Sequence, residues 1–175
     1  RQAQKEADAR LSVEKYYADE KTKALYDLQA RQKEIVAANY GKDEHDKYMI
    51  LAQAQYENKL ALIDLSKDKQ IQSANEYLQT EEERIIATAN LERRTVALTL
   101  DMSEELRHAK IDAINHAEMV ALSTLRLEQD KTWQAVNEQY QTEEERIKAH
   151  AELERREIMA IVGMDEKLRE AKIKA

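Results

Sequence analysis

The chain has 175 residues and a net charge of −7, from 28 lysines and arginines against 35 acidic residues. It has two glycines and no proline, phenylalanine or cysteine, while alanine, glutamate, leucine, lysine and arginine make up more than half of it. This composition is typical of a coiled coil or a long helix, and it argues against β folds, disulfide frameworks and cysteine-based zinc sites. The acidic balance also argues against nucleic acid as the main partner, since phosphate binding needs a clustered basic surface.

The first part of the chain, about residues 17–78, is a worn copy of a unit that recurs downstream. Asp19 is a candidate helix N-cap at its start, and Asp43 is a second one, just after Gly41. The interval from Asp19 to Asp43 is one residue longer than its downstream counterpart. In an unbroken helix, one extra residue would rotate everything after it by about 100°. We therefore expect a helix break over residues 39–43.

Two clearer copies follow, at about 79–140 and, in part, 141–175. The segments Gln79–Ala113 and Gln141–Ala175 are identical at 21 of 35 positions without gaps. Both open with Thr-Glu-Glu-Glu, which fits a capping box. The candidate caps of these copies are Thr80, Ser103, Thr142 and Asp165.

We expect residues 1–175 to form a single elongated helical-repeat region. The sequence begins at Arg1 rather than at a methionine, and it ends within a helical pattern. These two features favour a fragment of a longer chain.

Apolar residues spaced by 11 form two rows, which we expect to be a packing stripe. The rows are Leu78, Ala89, Leu100, Ile111, Leu122, Trp133 and Ile114, Leu125, Val136, Ile147, Ile158. Eleven residues in three turns give a nearly straight stripe. The first row passes through Ser103 without slipping, which favours one continuous helix from Thr80 to Trp133.

The stripe is thin. Many of its positions are alanine, and Arg107 and Glu118 interrupt a parallel row that begins at Ile63. A lone helix of this kind is marginal in water, so it must pack against another copy or another segment. Two arrangements stay open: an elongated coiled coil between chains, or helical hairpins within one chain, broken near Gly41 and Gly163.

Few residues have side chains in a pattern that could support catalysis or metal binding. His108, Asp112 and His116 are spaced by four, which could place metal ligands on one helix face. The glutamate and third-ligand context of such sites is missing, so a solvated polar stripe is the favoured interpretation. We expect no catalytic, cofactor-binding or metal-binding residue. No apolar run approaches the ~18 residues of a membrane span.

Three phrases carry a resemblance: QYENKLALI at Gln55–Ile63, GKDEHDKY at Gly41–Tyr48 and GMDEKL at Gly163–Leu168. Together with the Ala/Glu/Leu/Gln/Tyr-rich repeats, they resemble the helical stretches of tape measure proteins from long-tailed bacteriophages. The resemblance covers essentially the whole chain. The strongly apolar, membrane-active segment of that family is absent, as expected of an internal piece.

The resemblance implies a non-enzymatic structural protein whose extended helices fill the tail tube and set tail length. Its partners would be itself and the tail tube proteins. Its place would be the virion tail, after assembly in the bacterial cytoplasm. One 62-residue repeat, as a continuous helix, would add about 93 Å to such a ruler.

Two other functions stay open. An antiparallel coiled-coil interaction module could serve as the receptor-binding arm of a bacteriocin or as a cytosolic scaffold. A metal-dependent bundle enzyme would need the His108/Asp112/His116 face to be buried and occupied.

Overall fold

The computed structural model describes residues 10, 12, 14–16, 18–161 and 166–174, and every regular element in these residues is helical. This confirms the all-α fold class predicted from composition. The helices are α1 (Glu20–Ala37), α2 (Lys42–Asn75), α3 (Glu81–Leu98), α4 (Glu104–Asn137), α5 (Glu143–Ala160) and α6 (Glu166–Lys174). Short 3₁₀ turns follow α2 at Glu76–Leu78 and α4 at Glu138–Tyr140.

Helices of two lengths alternate along the chain. The short helices α1, α3 and α5 have 18 residues each, and the long helices α2 and α4 have 34. Their bounds recur with the repeat, since α4 begins 62 residues after α2 and α5 begins 62 residues after α3. One copy of the repeat is therefore a short helix followed by a long one.

The chain divides into two compact units. The first runs to Ala74 and includes Ala97–Leu100, and the second comprises Asn75–Val96 and the chain from Asp101 onward. The first contains the pair α1–α2, and the second contains most of α3 together with α4, α5 and α6. Few apolar residues are buried in either unit. The buried apolar residues of the described chain are Ala24, Leu28, Ile35, Ala52, Leu65, Ala89, Val96, Leu127 and Leu153.

Side-chain caps begin the short helices. The Asp19 carboxylate accepts a hydrogen bond from the Thr22 N–H at 2.7 Å. At α5, the Glu145 N–H donates to the Thr142 hydroxyl at 3.4 Å while the Thr142 N–H donates to the Glu145 carboxylate at 2.8 Å. Thr80 and Glu83 form the same reciprocal pair at α3. The Thr80 and Thr142 N–H donors hold the pKa of the Glu83 and Glu145 carboxyls below its ordinary value.

The predicted break over residues 39–43 is confirmed, although its residues differ in role from those expected. Helix α1 ends at Ala37 and α2 begins at Lys42. Asn39, with φ of 53°, takes the left-handed conformation that ends a helix, which asparagine tolerates better than most residues. Asp43 is not the cap, because it lies inside the first turn of α2, where its charge suits the helix dipole.

The predicted continuous helix from Thr80 to Trp133 is wrong. Helix α3 ends at Leu98, and Ser103 caps α4 by accepting a hydrogen bond from the Leu106 N–H at 3.3 Å. The Arg107 guanidinium donates to the Val96 carbonyl at 2.8 Å, satisfying one of the carbonyls left unpaired at the end of α3. The 11-residue spacing of the apolar rows could not reveal this break. It counts residues along the sequence, so it is the same whether the helix is continuous or interrupted.

The two apolar rows do not form one stripe in this structure, because the breaks separate their members into different helices. In the first row Ala89 is buried, whereas Leu78, Leu100 and Trp133 each expose more than 60% of their surface. In the second row Val136 and Ile147 are exposed. The remaining members, Ile111, Ile114, Leu122, Leu125 and Ile158, are half-buried. Gly163 and Asp165 lie outside the described residues.

We predict that Thr142→Ala lowers the free energy of unfolding by about 1 kcal/mol, because it removes an N-cap acceptor. Urea unfolding followed by far-UV circular dichroism measures the effect. The matched control is Thr132→Ala, in the interior of α4, where the hydroxyl donates only to the Glu128 carbonyl of its own helix at 2.9 Å. Equal losses in both variants would show that the Thr142 cap contributes nothing specific.

Candidate functional site

The surfaces that can carry function are those on which helices pair, and the first joins α1 to α2. Leu28 and Ile35 of α1 pack with Ala52 of α2 into a small cluster. Ion pairs flank this cluster, with Asp27 to Lys59 at 2.8 Å and Lys21 to Asp64 at 2.6 Å. Since residues further along α1 meet residues earlier in α2, the two helices run antiparallel. Hydrogen bonds from the Lys15 and Lys59 ammonium groups hold the pKa of the Asp27 carboxyl below its ordinary value.

The second surface joins α3 to the N-terminal half of α4 in the same way. Ile85 and Ala89 face Ile114, Ala117 and Ala121 across the contact. Ala89 is buried, Ile85, Ile114 and Ala121 are half-buried, and Ala117 is exposed.

Charged and polar side chains also connect α3 and α4 at this second surface. Arg93 donates to the Glu118 carboxylate at 2.6 Å and to the Asn115 side-chain carbonyl at 2.8 Å. The Arg93 and Glu118 side chains are only 26% and 17% exposed, so solvent screens them less than an ordinary surface pair. A second pair, Arg126 to Glu82 at 2.8 Å, lies in the open, with side-chain exposures of 63% and 44%.

The third surface joins the C-terminal half of α4 to α5. Leu127 and Leu153 are buried, and Lys131 pairs with Glu157 at 2.7 Å. Arg156 pairs with Asp130 at 2.7 Å, and His150 earlier in α5 contacts Glu138 just after α4, so the two helices run antiparallel. Helix α4 therefore contacts two short helices, and the two contacts overlap over the middle of α4, since Arg126 pairs with Glu82 of α3 while His116 and Met119 line a groove with Met159 of α5.

A buried amide pair fixes the end of α4. Gln134 is 8% exposed, which is unusual for a glutamine, and its side chain exchanges hydrogen bonds with that of Gln141 at 2.6 and 3.1 Å. Both polar groups are thereby satisfied, so their burial carries little penalty. The reciprocal bond fastens the turn after α4 to the helix it follows.

Exposed apolar side chains gather near the end of α4. Trp133, Val136 and Tyr140 expose 70%, 58% and 80% of their surface and are spaced three and four residues apart. That spacing places side chains along one side of a helical segment. Aromatic residues with this exposure are enriched at protein interfaces, so these three form a candidate interaction surface.

The candidate metal face is not assembled. His108, Asp112 and His116 are all exposed, and within the described chain no three metal-ligating side chains come together. His116 instead lines a groove of about 600 Å³ between α4 and α5, beside Met119 and Met159. The structure thus offers no observation in favour of a metal at these residues.

Sequence reasoning missed the pairing roles of Arg93, Arg107 and Glu118. Arg107 and Glu118 stand out only as interruptions of an apolar row, yet each makes a contact between α3 and α4. A signal was present, because the motif Leu-Glu-Arg-Arg occurs identically at 91–94 and 153–156. A charged motif kept between repeats indicates residues that can pair with a neighbouring helix.

Comparison of the chain with protein-family models, with curated proteins and with solved structures finds no match. Within the described residues, no helix combines the length and the apolar character needed to cross a membrane.

We predict that Glu118→Gln lowers the free energy of unfolding by roughly 1–2 kcal/mol, because it removes the charge opposite a partly buried arginine. The control is Glu82→Gln, which breaks the exposed pair with Arg126 and is expected to change stability by less than ~1 kcal/mol. Urea titration of both variants tests the difference. A smaller effect at Glu118 than at Glu82 would contradict the assignment of Arg93–Glu118 as the stronger contact.

Proposed function

We propose that the chain is a non-enzymatic structural protein in which helical repeats set a length, as a tape measure does inside the tail tube of a long-tailed phage. On this proposal it acts in the virion tail, after assembly in the bacterial cytoplasm. Its partners are other repeats of its own kind and the proteins of the tail tube. No residue has a catalytic role; the residues that matter are those of the helix-pairing surfaces.

The observation that carries the proposal is the recurrence of helix bounds at a fixed interval. Helices α2 and α4 have the same length and begin 62 residues apart, as do α3 and α5. The caps recur with them, since Thr80 and Thr142 occupy the same position of the repeat. Insertion or removal of one repeat therefore leaves every kind of contact intact and changes only the number of units, which is the property a ruler needs.

The alternation of helix lengths gives a specific step. A long helix of 34 residues exceeds a short helix of 18 by 16 residues. When the short helix runs back along the long one, a repeat advances by that difference, about 24 Å at 1.5 Å per residue. The uninterrupted helix expected from the apolar rows would have advanced about 93 Å per repeat. A ruler of paired helices therefore needs several times more residues to span the same length.

A second function, an antiparallel helical interaction module, has its own supporting observations. The chain ends one helix and starts another at 38–41 and again at 99–103, and the helices that flank each break pair side by side. The exposed Trp133, Val136 and Tyr140 would then contact a partner. A receptor-binding arm of a bacteriocin or a cytosolic scaffold would use the same architecture.

The test is an in-frame deletion of residues 79–140 from the gene in its own virus, with tail length measured in electron micrographs. We expect tails shorter by one uniform step, about 24 Å if the helices stay paired in the tube and about 93 Å if they are extended. Duplication of residues 79–140 is the matched control and must lengthen the tail by the same step. Tails of unchanged length, or virions that lack the chain, would contradict the ruler and favour the interaction module.

A further inference from the structure

Helix α5 carries a second copy of the surface by which α3 pairs with α4. Ile147, His150, Ala151 and Glu154 lie 62 positions after Ile85, Thr88, Ala89 and Glu92. Both sets line a groove on a short helix. Arg155 likewise repeats Arg93. The two short helices thus present the same arrangement of a branched apolar residue, an alanine, a glutamate and an arginine.

On α3 this surface is partly covered: Ala89 is buried and Ile85 is half-buried, while Thr88 and Glu92 are exposed. Ile114, Ala117 and Ala121 of α4 line the groove together with Ile85 and Ala89, and Ala89 retains only 6% of its exposure. The Arg93 guanidinium forms an ion pair with the Glu118 carboxylate at 2.6 Å. The occupant is therefore a helix with small or branched apolar residues at the first, fourth and eighth positions and a carboxylate at the fifth.

On α5 the same surface is open. Ile147 is 64% exposed, whereas its counterpart Ile85 is half-buried. The groove beside it, about 460 Å³ in volume, is lined by residues of α5 and of the turn that precedes it. None of the described residues forms an ion pair with Arg155, the counterpart of Arg93.

The open surface is centred away from the contact that α5 already makes with α4, although His150 at its edge binds Glu138 just after α4. That contact uses Leu153, Arg156 and Glu157. Leu153 and Arg156 lie about 120° and about 180° around the helix from Ile147 at 100° per residue. Helix α5 can therefore hold α4 on one side while its other side receives a second long helix.

We propose that the open face of α5, formed by Ile147, His150, Ala151, Glu154 and Arg155, is a docking site for a long helix of the α4 type. Its occupant carries the pattern of Ile114, Ala117, Glu118 and Ala121, and its glutamate pairs with Arg155. Continuity with the α3–α4 contact selects this occupant, since the same face one repeat earlier binds that helix. The proposal does not depend on where the chain acts.

The experiment extends the intact chain after Ala175 by a second copy of residues 114–127, which continues α6 in the register of α4. We expect the backbone amides of residues 147–155 to exchange with deuterium roughly tenfold more slowly in the extended chain, because tethering gives the added helix a high effective concentration at the docking face. Amides of α5 that exchange at the same rate in both chains would overturn the proposal.

Two variants test the residues that form the site. Ile147→Glu is expected to abolish the added protection. Ile50→Glu is the matched control, because Ile50 is 69% exposed and the equivalent position of the next repeat already holds Asp112. Circular dichroism must show that both variants keep their helix content. Equal protection in the two variants would overturn the docking face.

A charge exchange tests the partner's chemistry. Glu118→Arg within the appended copy is expected to reduce the protection, and Arg155→Glu in the same chain is expected to restore it. Arg31→Glu, at an exposed arginine of α1, must not restore it. Protection of α5 in the unextended chain that rises with protein concentration would assign this face to a second copy and overturn the choice of occupant.

Discussion

The pairing of helices of unequal length is the constraint on which the rest of the structure depends. A short helix of 18 residues covers only half of a long helix of 34, so each long helix has a second half to bury. In the second compact unit, α4 binds both α3 and α5, through Arg93 with Glu118 and through Arg156 with Asp130, and the two contacts overlap over the middle of α4. A short helix likewise has two sides, so it can pack between two long helices. The open face of α5 follows from this geometry.

Charge compensates for a weak apolar core. Few apolar side chains are buried, and several of them are alanines that contribute little burial of their own. The contacts between helices therefore depend on specific polar groups: Arg93 with Glu118, Arg107 with the end of α3, and Gln134 with Gln141. Such groups set register, since a slip of one residue would separate them, whereas alanine on alanine tolerates a slip.

The parts of the fold that depend on local chemistry could be predicted from the sequence. Composition predicts an all-α chain, and the residues Asp19, Thr80 and Thr142 lie where caps begin helices because their side-chain oxygens reach backbone N–H groups nearby in sequence. The break near Gly41 was predicted from the one extra residue between Asp19 and Asp43, although Asn39 takes the left-handed conformation there.

The parts that depend on tertiary contact could not be predicted. The break at 99–103 is stabilised by Arg107 binding the end of α3, a contact that exists only once the chain has reversed. Spacing by 11 describes the repeat and not the helices, so it assigned Leu100 and Trp133 to a buried stripe although both are exposed. The open face of α5 likewise becomes visible only when the partly covered face of α3 is known.

The chain reverses at residues 99–103, so that α3 lies along α4. The most direct test is the distance between spin labels on Glu82→Cys and Arg126→Cys, measured by pulsed electron resonance. The chain has no other cysteine. Glu82 and Arg126 are 44 residues apart in sequence, yet their side chains meet at 2.8 Å. We expect a short distance between the labels, set mainly by the length of their two tethers. A distance near the roughly 66 Å that 44 residues span in one continuous helix would contradict it.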